Sequence, residues 1–185
     1  KNKGILFWIT GLTGSGKTEI SKLIKEFISH KFGKTLIING DDIRDIFDIK
    51  KYDRKDRLKL GKKYTLLAKH ITDQNINVIF AVAGLFDDLR KYNRKIKNNY
   101  VEIYIKSDLA RIVSHKKKSL YKKKNVGKIW GINLKPEFPK KPDITIENDF
   151  TIPLKRLANN LKKEIKKKFN YSFLKSFYKY VDAHF

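Results

Sequence analysis

Cysteine is absent from this chain of 185 residues. Its absence excludes a disulfide framework and any chemistry in which a thiol is the nucleophile, the redox group or a metal ligand. No apolar run approaches the roughly 20 residues that a membrane-spanning helix requires. Residues 1–4 lead into only a short apolar run at 5–10, which does not match a secretory signal. We therefore expect a soluble cytoplasmic protein with no membrane partner.

Arginine is scarce compared with lysine. Only 7 of the 43 basic residues are Arg, and with 19 acidic residues the net charge is +24. A nucleic-acid-binding protein would show such an excess, because basic side chains neutralise phosphates. Base recognition and bidentate phosphate recognition rely mainly on Arg, however, and the basic residues here are spread along the whole chain. We expect a small anionic substrate and no nucleic acid, with a polyanion-binding surface as the alternative.

Short apolar runs alternate with amphipathic segments along the chain. The predicted strands are 5–10, 35–39, 77–83, 100–105 and 143–147. The predicted helices are 17–31, 43–47, 54–74, 87–96, one beginning at Ser107 or Asp108, and 153–169. The buried candidates on the long helix 54–74 are Leu58, Leu66, Leu67 and Ile71. Strands joined by helices form right-handed crossovers, so we expect an α/β fold with a mostly parallel five-stranded sheet covered on both faces.

Two segments stand apart from this pattern. Residues from about 116 to 142 contain blocks of Lys together with Gly and Pro and have no regular period, which predicts a lid segment. Residues 169–185 are rich in Tyr and Phe, and we expect this C-terminal tail to pack on the domain or to form a contact in a homodimer. Residues 1–168 then form one domain, since a chain of this length buries enough surface for its own core.

The strongest motif is Gly11-Leu-Thr-Gly-Ser-Gly-Lys-Thr18, which matches GxxxxGK[ST] between a predicted strand and a predicted helix. Glycines allow backbone N–H groups to surround an anion, and the helix N-terminus adds its positive end. The motif predicts ATP and Mg²⁺ as cofactors in a three-layer fold of the P-loop NTPase type. Lys17 would contact the β- and γ-phosphates, and the Thr18 hydroxyl would bind Mg²⁺. The predicted ATP-binding residues are Gly11, Thr13, Gly14, Ser15, Gly16, Lys17 and Thr18. The small size and the absence of an N-K-x-D pattern favour a small-molecule kinase.

A second polar loop, Asn39-Gly-Asp-Asp-Ile-Arg44, follows the second predicted strand. In a parallel sheet this loop opens beside the phosphate loop, at the edge where ligands bind. Asp41 can bind Mg²⁺ or accept a proton from an attacking hydroxyl, and Arg44 can bind a phosphate of the acceptor. For Asp42 the alternative role is to cap the following helix.

These motifs resemble those of the adenylylsulfate kinase family. The matching segments lie in the same order between residues 4 and 148: 7–18 (FWITGLTGSGKT), 39–44 (NGDDIR), 67–86, 118–123 (KSLYKK) and 141–146 (KPDITI). The resemblance implies Mg²⁺-ATP-dependent phosphorylation of the ribose 3′-hydroxyl of a nucleotide. In the family this acceptor is adenosine 5′-phosphosulfate, which belongs to sulfate assimilation.

The resemblance also implies roles for individual residues. Lys17 and Asp41 would be catalytic, with Asp41 as the base, and Thr18 and Asp41 would be the metal ligands. The implied acceptor contacts are Arg44 and Arg57 on the 5′ group, Tyr52 on the base, Lys118 and Leu120 in the closing lid, and Ile129 or Trp130 as the group that covers the base.

Three positions on the acceptor side depart from the family pattern, whereas the ATP side is unchanged. Asn39 replaces the first Asp of D-G-D, Leu60 stands where an acceptor-binding Asn is expected, and Asp87 stands where an Arg is expected. The segment 84–94 (GLFDDLRKYNR) resembles a capsule-associated branch of the family that acts on cytidine diphosphoramidate. We expect adenosine 5′-phosphosulfate as the acceptor. The alternatives are cytidine diphosphoramidate in capsule biosynthesis and, from another class, an ATP-binding protein that binds polyanions.

Overall fold

The computed structural model describes residues 3–51, 53–96, 99–115, 130–132 and 134–182, with 171–182 described as backbone only. The strands are β1 (Leu6–Thr10), β2 (Thr35–Asn39), β3 (Asn77–Ala81), β4 (Tyr100–Lys106) and β5 (Ile144–Glu147). The helices are α1 (Lys17–Phe32), α2 (Gly40–Ile46), α3 (Arg54–Thr72), α4 (Asp87–Ile96), α5 (Leu109–His115) and α6 (Leu154–Asp182). Every predicted strand and helix is present.

The five strands form one sheet in the order β2-β3-β1-β4-β5, and each neighbouring pair is parallel. Successive residues of β1 face opposite sides, as the two-residue period of a strand requires. Phe7 and Ile9 pack in a layer with α1 and α6, whereas Leu6 and Trp8 pack in a layer with α3 and α4. The predicted three-layer α/β fold is confirmed.

The predicted buried face of α3 is confirmed for Leu58 and Ile71, which are partly buried against the core, and wrong for the other two positions. Leu66 is 48% exposed and Leu67 is 36% exposed. The buried residues are Leu60, Gly61, Tyr64, Thr65, Ala68 and Thr72. This stripe is set by a close approach to α4, because a Cβ atom on Gly61 would lie 2.6 Å from a methyl group of Leu89. Small and hydroxyl-bearing residues therefore occupy the interface, and a count of apolar residues cannot detect them.

The prediction that the last helix ends near residue 169 is also wrong, because α6 continues without a break to Asp182. Residues 183–185 and the side chains of 171–182 lie outside the description, so the packing of the aromatic tail stays a prediction. Among the described residues, no helix is both long enough and apolar enough to cross a membrane.

A group of charges around the buried Glu102 ties α4 and α6 to the sheet. Glu102 on β4 is 2% exposed and accepts a hydrogen bond from Arg94 at 2.9 Å. Asp143, just before β5, accepts from the Glu102 N–H at 2.8 Å and from Lys168 of α6 at 2.8 Å, and lies 3.2 Å from Arg94. Burial alone would raise the pKa of Asp143, but the hydrogen bonds and the Arg94 charge hold it below the usual 3.8.

We predict that Asp143→Asn lowers the free energy of unfolding at pH 7 by about 1–3 kcal/mol, since Arg94 and Lys168 lose the negative charge with which they pair. A depressed folded-state pKa stabilises the protein above the unfolded-state value and loses this effect as pH falls through the folded-state value. The variant should therefore show a flatter loss of stability in acid, below about pH 4, in urea titrations. The control Asp48→Asn removes an exposed pair with Lys50 and should change stability by less than about 0.5 kcal/mol. Equal acid sensitivity of Asp143→Asn and the native chain would contradict the assignment.

Candidate functional site

The glycine-rich loop 11–16 connects the end of β1 to the start of α1. Gly14 has φ 86° and Gly16 has φ 96°, both in the left-handed region that side-chain-bearing residues rarely adopt. A Cβ atom on Gly16 would also lie 3.1 Å from Leu154 and 3.3 Å from Asn148. The turn thus requires glycine for its conformation and for its space. It places the N-terminus of a 16-residue helix, with its positive dipole end, beside the loop.

Asn148, which follows β5, holds this loop from behind. Its buried side-chain amide donates to the carbonyl of Ser15 at 2.9 Å and its side-chain oxygen accepts from the N–H of Phe150 at 3.1 Å. Its own N–H donates to Lys106 at the end of β4. Asn148 was not predicted from the sequence, although a polar residue directly after a buried strand is a signal that could have indicated it.

A cavity of about 260 Å³ lies in front of the loop. Its lining includes Lys17 and Thr18 from α1, Asp41 from α2, and Arg57 from α3. Asn39 at the end of β2 and residues 81–83 after β3 complete this part of the wall. The cavity therefore brings both predicted catalytic residues and both predicted metal ligands together with one predicted acceptor-binding Arg.

Five of the seven predicted ATP-binding residues line this cavity: Thr13, Gly14, Gly16, Lys17 and Thr18. The Lys17 ammonium donates to the carbonyls of Gly11 at 3.1 Å and Leu12 at 2.7 Å, so it lies across the loop. The Ser15 side chain is fully buried behind the loop, and its hydroxyl has no hydrogen-bond partner among the described residues. Ser15 can thus contact a phosphate only through its backbone.

Asn39 links the cavity to the start of α2. It is the N-cap residue of that helix, and its side-chain amide donates to the Asp42 carboxylate at 2.8 Å. The alternative prediction that Asp42 caps this helix is wrong, because α2 begins at Gly40 and Asp42 lies within its first turn. The side-chain oxygen of Asn39 is buried with no hydrogen-bond partner in the described part of the chain, and it belongs to a residue that lines the cavity.

Arg44 is described by the structure and is not among the residues that line this cavity. The Arg44 guanidinium donates to the carbonyls of Ile49 at 3.4 Å and Lys51 at 3.1 Å, and so closes the loop after α2. Tyr52, Lys118, Leu120 and Ile129 lie outside the described residues. Their acceptor roles, and that of Arg44, stay predictions.

Trp130 is buried in the core layer formed with α3 and α4, whereas a residue of an open lid would be exposed. Trp130 is 1% exposed and packs edge-to-face on Phe86, with ring centroids 4.7 Å apart. The guanidinium carbon of Arg57 lies 5.8 Å from the centroid of the Trp130 ring. Residue 130, which falls within the predicted lid of about 116–142, is thus part of the core, and the lid itself stays a prediction. Residues 116–129 and 133 lie outside the described residues.

Two of the residues that depart from the family pattern, Leu60 and Asp87, make contacts within the fold. Leu60 is buried in the layer formed by α3 and α4. Asp87 is the first residue of α4, and its carboxylate pairs with the buried guanidinium of Arg90. The position where the resemblance expects a cation thus carries a carboxylate that is already paired.

The described residues contain no group of three His, Cys, Asp or Glu side chains that could bind a metal ion without other ligands. Thr18 and Asp41 supply hydroxyl and carboxylate oxygens, the donor type that Mg²⁺ prefers, and Mg²⁺ commonly takes its remaining ligands from phosphates and water. The residues present therefore fit a metal ion that is held jointly with a nucleotide.

The sheet order and the loop at the end of β1 define a P-loop kinase fold. A solved adenylylsulfate kinase of Mycobacterium tuberculosis, in complex with AMPPNP and APS, superposes with a TM-score of 0.78. The two chains are 21% identical, and the alignment covers 90% of this chain and 99% of that one. This likeness supports the fold class.

Sequence comparison identifies the family. The family described as adenylylsulphate kinase matches residues 3–147. Cytidine diphosphoramidate kinase of Campylobacter jejuni is 32% identical over 168 residues, covering 89% of this chain and 94% of that protein. An adenylyl-sulfate kinase of Buchnera aphidicola is 32% identical over 170 residues, covering 89% and 78%. The chain belongs to the adenylylsulphate kinase family. It is a nucleotide-binding phosphotransferase with a hydroxyl acceptor, in a family that uses ATP as phosphate donor, so the predicted kinase class is confirmed.

We predict that Lys17→Ala lowers kcat by more than about 10²-fold, because a preorganised charge facing the transferred phosphate is lost. The measurement is ADP release in a coupled assay at saturating ATP. Lys25→Ala removes an exposed lysine from the same helix and should leave kcat unchanged. A kcat near the native value in Lys17→Ala would remove this residue from the mechanism.

Proposed function

We propose that this protein transfers the γ-phosphate of ATP to the ribose 3′-hydroxyl of a small nucleotide. The observation that carries the proposal is the single cavity in which Lys17, Thr18, Asp41 and Arg57 meet. A phosphate loop without an acceptor site would support nucleotide binding alone. Here a carboxylate and a guanidinium from two other helices face the loop, as a transfer between two bound substrates requires.

The residues that line the cavity have distinct tasks in this transfer. The loop 11–16 and Lys17 bind the phosphates of ATP and orient the γ-phosphate. Thr18 and Asp41 would hold Mg²⁺ together with the phosphates, and the ion would supply positive charge to the transferring group. Asp41 accepts the proton of the 3′-hydroxyl while the oxygen of that hydroxyl forms a bond to the γ-phosphorus. The bond between the γ-phosphorus and the β–γ bridging oxygen breaks, and ADP is released. Arg57 binds an anionic group of the acceptor.

Adenosine 5′-phosphosulfate is the first candidate acceptor. The family match over residues 3–147 supports it, as does a guanidinium in the cavity wall that suits an anionic 5′ group. Cytidine diphosphoramidate is the second candidate. It is supported by the 32% identity to a kinase named for that substrate and by Asp87, which reduces the positive charge expected on the acceptor side.

We expect Asp41→Asn to bind ATP with nearly native affinity but to lose about 10²- to 10⁴-fold in kcat, since the amide cannot accept the proton. ATP affinity is measured by titration calorimetry and kcat by ADP release. Asp45→Asn, an exposed carboxylate on the same helix, is the matched control. Native turnover in Asp41→Asn would exclude this carboxylate as the base.

An acceptor panel tests the proposal as a whole. ADP release from Mg²⁺-ATP is measured with adenosine 5′-phosphosulfate, cytidine diphosphoramidate, nucleoside mono- and diphosphates, and no acceptor. We expect at least one of the first two to increase the rate by more than about 10²-fold over the no-acceptor control, because positioning both substrates lowers the barrier by several kcal/mol. Equal rates with and without every acceptor would contradict the proposal.

A further inference from the structure

The segment that precedes β5 is fastened to the body at two points. We refer to residues 130–132 and 134–142 as the strap. At its first end Trp130 is buried against Phe86, and the turn after it is closed by a hydrogen bond from Gly131 to Leu134 at 2.9 Å. Glu137, seven residues after Trp130, makes the second attachment.

Glu137 makes contacts with two helices and the loop between β3 and α4. Its N–H donates to the carbonyl of Leu85 at 3.0 Å, and its Oε2 accepts from the N–H of Asp87 at 2.7 Å. Its Oε1 pairs with the guanidinium of Arg54. One carboxylate therefore satisfies a backbone donor at the start of α4 and a cation at the start of α3.

The electrostatics favour the charged form of Glu137. Burial alone would raise its pKa, but the hydrogen bond from Asp87 and the ion pair with Arg54 outweigh burial and hold the pKa below the usual 4.5. At neutral pH the carboxylate is therefore ionised in its contact with Arg54.

A continuous set of contacts leads from Glu137 to the cavity. The guanidinium carbon of Arg54 lies 4.9 Å from the ring centroid of Phe86, and Phe86 packs on Trp130. The ring of Trp130 in turn lies beside the guanidinium of Arg57, which lines the cavity together with Asp41. Arg54 and Arg57 are three residues apart on α3, so their side chains lie on neighbouring positions of one helix face.

We propose that Glu137 is a positioning residue for the acceptor: it holds the strap and, through Arg54, Phe86 and Trp130, fixes the orientation of Arg57 toward the cavity. The inference rests on the proposed function, in which Arg57 binds the acceptor. Glu137 acts through these neighbours and not by contact with the reacting atoms. ATP binding, which uses the loop 11–16 and Lys17, does not depend on it.

The kinetic test uses Glu137→Gln. The amide oxygen can still accept from Asp87, but the charge opposite Arg54 is gone. The KM for the acceptor should rise about 10- to 100-fold, as expected for a lost charge-assisted pair, while kcat and the KM for ATP stay within about twofold. Glu147→Gln, which removes an exposed carboxylate paired with Lys106, is the matched control and should change neither. An unchanged acceptor KM in Glu137→Gln would overturn the proposal.

Arg54→Gln tests the same link from its other partner, and the double variant tests whether the two act as a unit. Because both changes break one pair, Arg54→Gln with Glu137→Gln should have the acceptor KM of the worse single variant. Effects that multiply would show independent roles and would overturn the proposal. If thermal melting shows that Glu137→Gln does not fold, the test falls to Arg54→Gln, and an unchanged acceptor KM in that variant would overturn the proposal.

A measurement without substrates separates this inference from the proposed function. The chain has two Trp residues: Trp130 belongs to the strap, and Trp8 lies on the central strand β1 in the same buried layer. Release of the strap in Glu137→Gln should shift the emission to longer wavelength and increase quenching by acrylamide, whereas Glu147→Gln should match the native protein. Unchanged emission would overturn the anchoring role whatever the acceptor. Altered emission in a protein that transfers phosphate to no nucleotide would instead refute the proposed function and, with it, the link to Arg57.

Discussion

The hydrogen bond from the Asn148 amide to the carbonyl of Ser15 joins two residues that are 133 positions apart at a distance of 2.9 Å. The loop that it holds contains glycines in the left-handed region. In an unrestrained chain glycine adopts positive and negative φ about equally, so it does not fix this conformation by itself. The loop is defined because β1 fixes its start, α1 fixes its end and Asn148 fixes its middle. The position of Lys17 and Thr18 relative to β2 and β3 follows from this anchoring, and so does the shape of the cavity.

The two sides of the cavity are built in different ways. The ATP side comes from one continuous segment, 11–18, whose conformation is local. The proposed acceptor side is lined from α2 and α3, and the arginines around it are largely engaged within the protein. Arg54 and Arg90 pair with carboxylates, and Arg44 donates to two carbonyls. The net charge of +24 therefore overstates the positive charge that an acceptor meets at the cavity.

The sequence was sufficient for the sheet, the order of its elements and the phosphate loop, because these depend on short-range patterns. Strand β2 was predicted with its observed bounds, and the loop motif lies between β1 and α1 as its chemistry requires. The buried face of α3 was not predictable from apolar spacing, since Gly61 and Thr65 form much of it. Glu137 was missed because its partners, Arg54 and Asp87, are 83 and 50 residues away and no periodic pattern marks them. Trp130 was assigned to a lid because its neighbours in sequence are basic, whereas its neighbours in space are aromatic.

The proposed reaction is defined by the oxygen that receives the phosphate. The most direct measurement is phosphorus–proton correlation NMR on the product that forms from Mg²⁺-ATP and the acceptor with the highest turnover. We expect a new phosphate signal that correlates with the ribose H3′, together with one ADP for each product molecule. A new phosphate on the 5′ chain, or inorganic phosphate as the sole phosphorylated product besides ADP, would contradict it.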